Sequence, residues 1–332
     1  MSTPDSAYFQ KKLLQLRKDG ITFDELALEL FEFQSRKNPV YAEYLKLTGQ
    51  EQIKPTELRE IPFLPIGFFK THKIICSGFE TEFAFTSSGT GGQSSKHFIY
   101  DPDFYDENSL YIFERQVREL KNHEIIAPLP GYEENPGSSL IRMVRALAEA
   151  SGAEASFSGL DFQTFLKALS DCRSRHKQPL IFGVSHALLE LIESGLNPDL
   201  SDCVLLETGG MKGLRKEMGK FELLQILQAG LKPKTLISEF GMCELMSQAY
   251  GFPEKYQPAY SLKALVRNPE APLEFSNNTG RGALNFIDLA NYGTCCFLAS
   301  EDLGEVANDG SFQVFGRLDQ AEIRGCNLLF AD

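Results

Sequence analysis

The stretch Thr86-Ser87-Ser88-Gly89-Thr90-Gly91-Gly92-Gln93-Ser94-Ser95-Lys96 follows an apolar run, Phe83, Ala84 and Phe85. Hydroxyl side chains, glycines without Cβ atoms and a closing lysine suit a loop that brings backbone N–H groups and positive charge to phosphate oxygens. It is not a Walker loop, because no G-x-x-x-x-G-K-[ST] is present. The same composition also suits an ordinary polar turn. Further segments hold residues for related chemistry. Ser238-Glu239-Phe240-Gly241-Met242-Cys243-Glu244-Leu245 sets an aromatic ring, a thiol and a carboxylate just after an apolar run. Ala299-Ser300-Glu301-Asp302-Leu303-Gly304 and Phe315-Gly316-Arg317-Leu318-Asp319 add acids and a guanidinium, and Glu207-Thr208-Gly209-Gly210-Met211-Lys212-Gly213 adds a glycine pair and a lysine.

These residues need a scaffold, and the hydrophobic pattern supplies one. The first fifty residues read as helical. Thr22 and Glu25 have the spacing of a capping box, and Leu26, Leu30 and Phe33 repeat on one face. Asn38-Pro39 stops that helix. Residues 61–70 are apolar but studded with proline, which predicts a buried extended segment rather than a central strand or a helix interior. Short apolar runs at 125–127, 180–184, 204–206 and 235–237 read as buried strands. Helical patterns fall at 138–151, 162–174, 186–194 and 214–229, and the alternation predicts a parallel sheet with crossover helices. From 283 onward the pattern becomes short strands at 284–287, 295–299, 304–307 and 311–315, with Asn308-Asp309-Gly310 as a turn. This predicts a small antiparallel unit closing the domain.

With 332 residues and 42% hydrophobic content the chain can bury a sizeable core. A net charge of −12 argues against a nucleic-acid backbone as partner. The seven cysteines include no C-x-x-C pair, which argues against a disulfide framework and a zinc site and points to reduced thiols in the cytoplasm. The first residues read as no signal peptide, and no apolar run is long enough for a spanning helix. The five histidines have no ligand spacing and read as structural or surface groups.

In their order and spacing across 86–325, the loop and the segments ending at Leu245, Val306 and Gly325 resemble the core motifs of the adenylate-forming superfamily. That superfamily holds acyl-CoA ligases, firefly-type luciferases and nonribosomal adenylation domains. Its motifs read T-S-G-T-T-G-x-P-K, Y-G-x-T-E, T-G-D, and G-R-x-D followed by a basic residue and glycine. The 207–213 segment, residues 61–70, Ser138-Ser139-Leu140, Ile287-Asp288-Leu289-Ala290-Asn291 and Arg324-Gly325-Cys326 extend the resemblance to the LuxE-type acyl-protein synthetases. The implied fold is α/β, the large N-terminal domain of the superfamily without its small C-terminal domain. Its divisions would be a helical region at 1–60, an adenylate-forming core at 61–325 and a short tail at 326–332.

The resemblance implies ATP and Mg²⁺ as cofactors and assigns roles by position. Ser87, Ser88, Gly89, Thr90, Gly91, Gly92 and Lys96 would hold the ATP phosphates, stabilising charge on the pyrophosphate leaving group. Gly209, Gly210, Met211 and Lys212 would line the nucleotide site, the glycine pair letting backbone approach adenine. Phe240 would pack on adenine, with Gly241 beside it; otherwise it is a core aromatic. Glu244 would ligate magnesium, or else serve as a helix N-terminal acid. Cys243 stands where the family has a threonine that meets phosphate. Asp302 would take both ribose hydroxyls, or else be a turn residue, and Arg317 would lie near the ribose and α-phosphate. Cys326 would receive the acyl group as a thioester.

The implied activity is ATP-dependent activation of a carboxylic acid, a fatty acid foremost, then transfer to Cys326 and on to a partner acyl reductase. Two alternatives stay open. One is an acyl- or aryl-CoA ligase whose C-terminal domain is supplied in trans. The other is a nucleotide-binding scaffold subunit for a reductase, without catalysis.

Overall fold

A computed structural model describes residues 5–87, 94–131, 137–209, 218–251 and 255–318. Three helices open the chain: α1 (Ser6–Leu16), α2 (Phe23–Lys37) and α3 (Pro39–Leu47). The capping box is present at α2, where the Thr22 hydroxyl accepts the Glu25 N–H and the Glu25 carboxylate accepts the Thr22 N–H. Asn38 both ends α2 and starts α3. Its Oδ1 accepts the N–H groups of Val40 and Tyr41, while its Nδ2 donates to the Thr294 carbonyl at 2.8 Å, tying the helices to the far end of the chain.

The proline-studded segment behaves as expected over its first half. Leu64–Pro65 (β1) is extended and buried against a later strand, but Phe68–Thr71 (α4) then turns helical. Ala84–Thr86 (β2) and Lys96–Phe98 (β3) form a two-stranded hairpin around the Ser/Gly loop. Next come α5 (Pro102–Gln116), β4 (His123–Ala127), α6 (Ser139–Ala150), β5 (Ser156–Phe157), α7 (Phe162–Ser174), β6 (Gln178–Val184), α8 (Ser185–Glu193), β7 (Val204–Thr208), α9 (Lys220–Leu231) and β8 (Thr235–Phe240). Short strands β9 (Ala249–Gly251) and β10 (Tyr256–Pro258) follow, then β11 (Leu262–Arg267), β12 (Gly280–Asp288), β13 (Phe297–Val306) and β14 (Phe312–Arg317).

Among the described residues, twelve strands make one sheet in the order β11-β12-β13-β14-β10-β9-β8-β7-β6-β4-β5, with β1 beside β13. Strands β4 to β8 pair in parallel and are covered on both faces. Successive residues of β6 show this: Leu180 and Phe182 join the core that contains α5 and α6, and Ile181 joins the core of α7, α8 and α9. The apolar residues of α1 to α3 belong to the first of these cores.

Three expectations need correction. The helix expected over 214–229 starts at Lys220, because Gly219 is extended (ψ 144°); 214–217 lie outside the described residues. The antiparallel strands are not a separate unit but continue the parallel sheet through β9. The strands expected at 295–299 and 304–307 are one strand, β13. Gly304 marks a register shift inside it rather than a turn, and a Cβ there would sit 2.1 Å from the Gln313 carbonyl oxygen. The turn at 308–310 is as expected, with Gly310 at φ +81°.

Candidate active site

The ends of the Ser/Gly loop are held by the β2–β3 hairpin. The Ser87 hydroxyl accepts the Ser95 N–H at 2.9 Å, and Lys96 is exposed on β3. Ser88, Gly89, Thr90, Gly91 and Gly92 lie outside the described residues, as do Gly210, Met211, Lys212, Asp319 and Cys326.

Glu244 sits in the turn after β8 and is buried. Burial pushes its carboxyl above the ordinary range, and a hydrogen bond from the Ser95 hydroxyl works against that shift. The charge of Asp302 on β13 raises it further, and that of Lys70 on α4 lowers it. The turn is fixed from three sides. Asp288, at the end of β12, accepts the Met246 N–H, the Ser247 N–H and the Ser247 hydroxyl at 2.7 to 2.9 Å. Asn291 Nδ2 donates to the Glu244 carbonyl at 2.9 Å. His97 Nδ1 donates to the Cys243 carbonyl at 2.9 Å, and its Nε2 pairs with the Thr294 hydroxyl. Burial lowers the His97 pKa to about 4, so the ring is neutral with its proton on Nδ1. His97 is structural, as expected. Cys243 is a poor nucleophile here: burial, then the Glu244 charge, raises its thiol well above the ordinary value.

Asp302 stands opposite Arg317 in the β13–β14 register, but the Arg317 guanidinium bonds Glu301 instead. Burial raises the Asp302 carboxyl, against the fields of Arg317 and Arg267. Arg267 is buried and donates to the Leu284 and Ser300 carbonyls, bracing this strand end. Phe240 is partly exposed and lies against Tyr256, Phe286 and Phe312 at ring distances of 5.1 to 5.5 Å. Gly209 follows β7 at φ +75°, a conformation that favours glycine.

The structure therefore gathers Ser87, Glu244 and Asp302 around one region, with Gly209, Phe240 and Gly241 at the carboxyl ends of β7 and β8, where open α/β sheets bind ligands. Sequence reading missed Ser95, Lys70, Asp288 and Arg267. The first three lie inside motifs already marked, whereas nothing local distinguishes Arg267 from a surface arginine.

A hard cation fits this site by its donors. Mg²⁺ takes one or two carboxylates and completes its shell with phosphate oxygens and water. Glu244 supplies one buried carboxylate that a cation would relieve. Among the described residues no group of three or more His, Cys, Asp or Glu forms an all-protein metal cage.

The sheet order and the two covered faces give a fold shared with solved acyl- and aryl-CoA ligases. An open conformation of 2-hydroxyisobutyryl-CoA ligase, in complex with 2-HIB-AMP and CoA, superposes with a TM-score of 0.66 at 14% identity, covering 89% of this chain and 69% of that one. The O-succinylbenzoate coenzyme A synthetase of Bacillus subtilis, in complex with ATP and magnesium ion, gives 0.50 at 14% identity, over 71% of this chain and 50% of that one. An anthranilate CoA ligase in complex with anthranoyl-AMP gives 0.50 at 14% identity, over 71% and 47%. No protein-family model matches the chain, and no curated protein matches its sequence.

Proposed function

We propose that the protein activates a carboxylic acid with ATP, forming an acyl-adenylate and pyrophosphate. The observation that carries this reading is the buried Glu244 carboxylate, facing Ser95 of the phosphate-type hairpin and within the field of Asp302, in a fold shared with adenylate-forming ligases. The acid's carboxylate oxygen attacks the α-phosphorus, and the bond to the β-phosphate oxygen breaks. Ser87 and Lys96, with the loop between them, would receive the charge that grows on pyrophosphate. Glu244 would hold Mg²⁺, which when bound neutralises phosphate charge. Asp302 would orient the ribose, and Phe240, Gly209 and Gly210 the adenine.

The acyl group then goes to a thiol. The Arg-Gly-Cys segment makes Cys326 our acceptor: its thiolate attacks the acyl carbon and AMP leaves, ready for a partner acyl reductase. A second reading takes coenzyme A as acceptor, and it is favoured by the CoA ligases among the similar structures. ATP–pyrophosphate exchange across a panel of acids tests the shared step. Acid-dependent exchange that requires Mg²⁺ supports it, and ADP and phosphate as products overturn it. Adding coenzyme A and assaying for acyl-CoA separates the two acceptors.

A further inference from the structure

Two buried acceptors on the α5–α6 side of the sheet play no part in the chemistry above. The β7–β8 register sets Thr208 opposite Glu239, so both side chains leave the same face. The Thr208 hydroxyl donates to one Glu239 oxygen, and among the described residues no other hydrogen-bond donor meets the carboxylate. The second oxygen lies over Gly241: a Cβ on that glycine would sit 2.5 Å from Glu239 Oε1 and 3.8 Å from Gln248 Cγ. Gln248 therefore flanks the same glycine. Its Nε2 donates to the Tyr105 hydroxyl at 3.4 Å, while its Oε1 is buried without a donor. The amide orientation is fixed by Tyr105, which gives its single O–H proton to the Ser139 carbonyl and can only accept from Gln248. Glu239 is 5% exposed and Gln248 3%.

A buried carboxylate with one hydroxyl partner is unfavourable, and so is a buried amide oxygen with none. An apolar chain entering beside them would leave both unmet. The surrounding charges do not supply the missing partner. Lys220 lies across the sheet, where it pairs with Glu207. Tyr105 and Tyr250, which face Glu239, are phenols held neutral by burial. Glu239 is also at a ligand position, at the carboxyl end of the parallel strand β8 and next to Phe240.

We propose that Glu239 and Gln248 form a subsite for a protonated amine carried by the carboxylic acid that this protein activates. The proposal rests on the acid-activating reading and names its substrate class. Burial pushes the free Glu239 carboxyl up to about 7, and an ammonium group beside it would hold it ionised.

The test is calorimetric titration without nucleotide, using the ω-amino acids from 4-aminobutyrate to 8-aminooctanoate and the matching alkanoic acids. At least one amino acid should bind about tenfold or more tighter than its alkanoic partner, as expected for a charged hydrogen bond. Glu239→Gln should bring that ratio close to one while the thermal transition remains cooperative. Equal or tighter binding of every alkanoic acid, binding of no probe, or an unchanged ratio in Glu239→Gln overturns the subsite. Pyrophosphate exchange is read separately on the same acids. Amine-selective binding without exchange sustains the subsite and removes the adenylation reading, whereas exchange that favours the plain acids does the reverse.

Discussion

The Asp288 carboxylate accepts the backbone N–H of Met246 at 2.7 Å, two residues beyond Glu244. Together with the Ser247 N–H and hydroxyl, this one side chain fixes the turn that presents Glu244. An asparagine keeps the shape but can accept on one atom only, and its Nδ2 would face a donor. Asp288→Asn should therefore raise the Mg²⁺ concentration needed for half-maximal exchange and lower the rate about tenfold or more. Mg²⁺ titrations that superimpose for variant and wild type would show that the turn does not depend on Asp288.

Glu244→Gln removes one charge at nearly constant shape. Exchange should fall by about two orders of magnitude, in the range seen when a group stabilising transition-state charge is lost, while the circular dichroism spectrum stays unchanged. Asp302→Ala should instead weaken ATP binding, read as a raised KM for ATP. Wild-type kinetics in both variants would place the site elsewhere.

A buried ion pair holds the start of α9 to the sheet. Lys220 donates to Glu207, which also receives the Ser185 and Ser238 hydroxyls. Burial opposes the lysine charge, but the Glu207 field outweighs it and the Lys220 pKa is raised. Lys220→Met would take from buried Glu207 its cationic partner and leave it hydroxyl donors alone, costing about 3–5 kcal/mol in urea unfolding. The double variant Lys220→Met with Glu207→Gln should recover most of that loss. A double variant no more stable than the single one would show that the pair acts by packing alone.

How much of this was legible depends on the range of the interactions. The crossover strands and α7 were readable because burial on both faces leaves continuous apolar runs, and because Asp161 caps α7 at the expected residue. The β13 strand was split in two because Gly304 looks like a turn in sequence. Its real cause, the close approach of the Gln313 carbonyl, comes from a neighbouring strand. At the site, Glu244 and Asp302 stand out by their motifs, while the roles of Asp288 and Arg267 arise from contacts between residues distant along the chain. No local pattern reports those.

Glu239 gives a pH signature. Its carboxyl rises from an ordinary 4.5 to about 7 on folding, chiefly through burial. The native state thus binds more protons than the unfolded chain between these values, and stability from this group falls as pH rises through that window. Glu239→Gln removes the titration while the amide oxygen can still accept from Thr208. Relative to wild type, the variant should gain stability between pH 5 and pH 8, by up to about 3 kcal/mol. Urea melts at the two pH values measure the difference, and an equal effect at both would mean the carboxyl does not titrate there.

Cys326 lies outside the described residues, and its proposed role rests on the Arg-Gly-Cys resemblance together with the chemistry of thiols. An acyl-adenylate is a mixed anhydride, and a thiolate close by captures it faster than water does. The six other cysteines compete poorly. Those at 76, 172, 203, 295 and 296 are buried, and burial raises their thiols and that of Cys243. Cys326→Ser should therefore still form acyl-AMP and sustain pyrophosphate exchange, yet take up no acyl label. Incubation of both proteins with labelled acid and ATP, followed by hydroxylamine, reads the thioester directly. Hydroxylamine-sensitive label at equal levels on both would assign the acyl group to another cysteine. Label on neither, with acyl-CoA formed once coenzyme A is added, would make the coenzyme the acceptor.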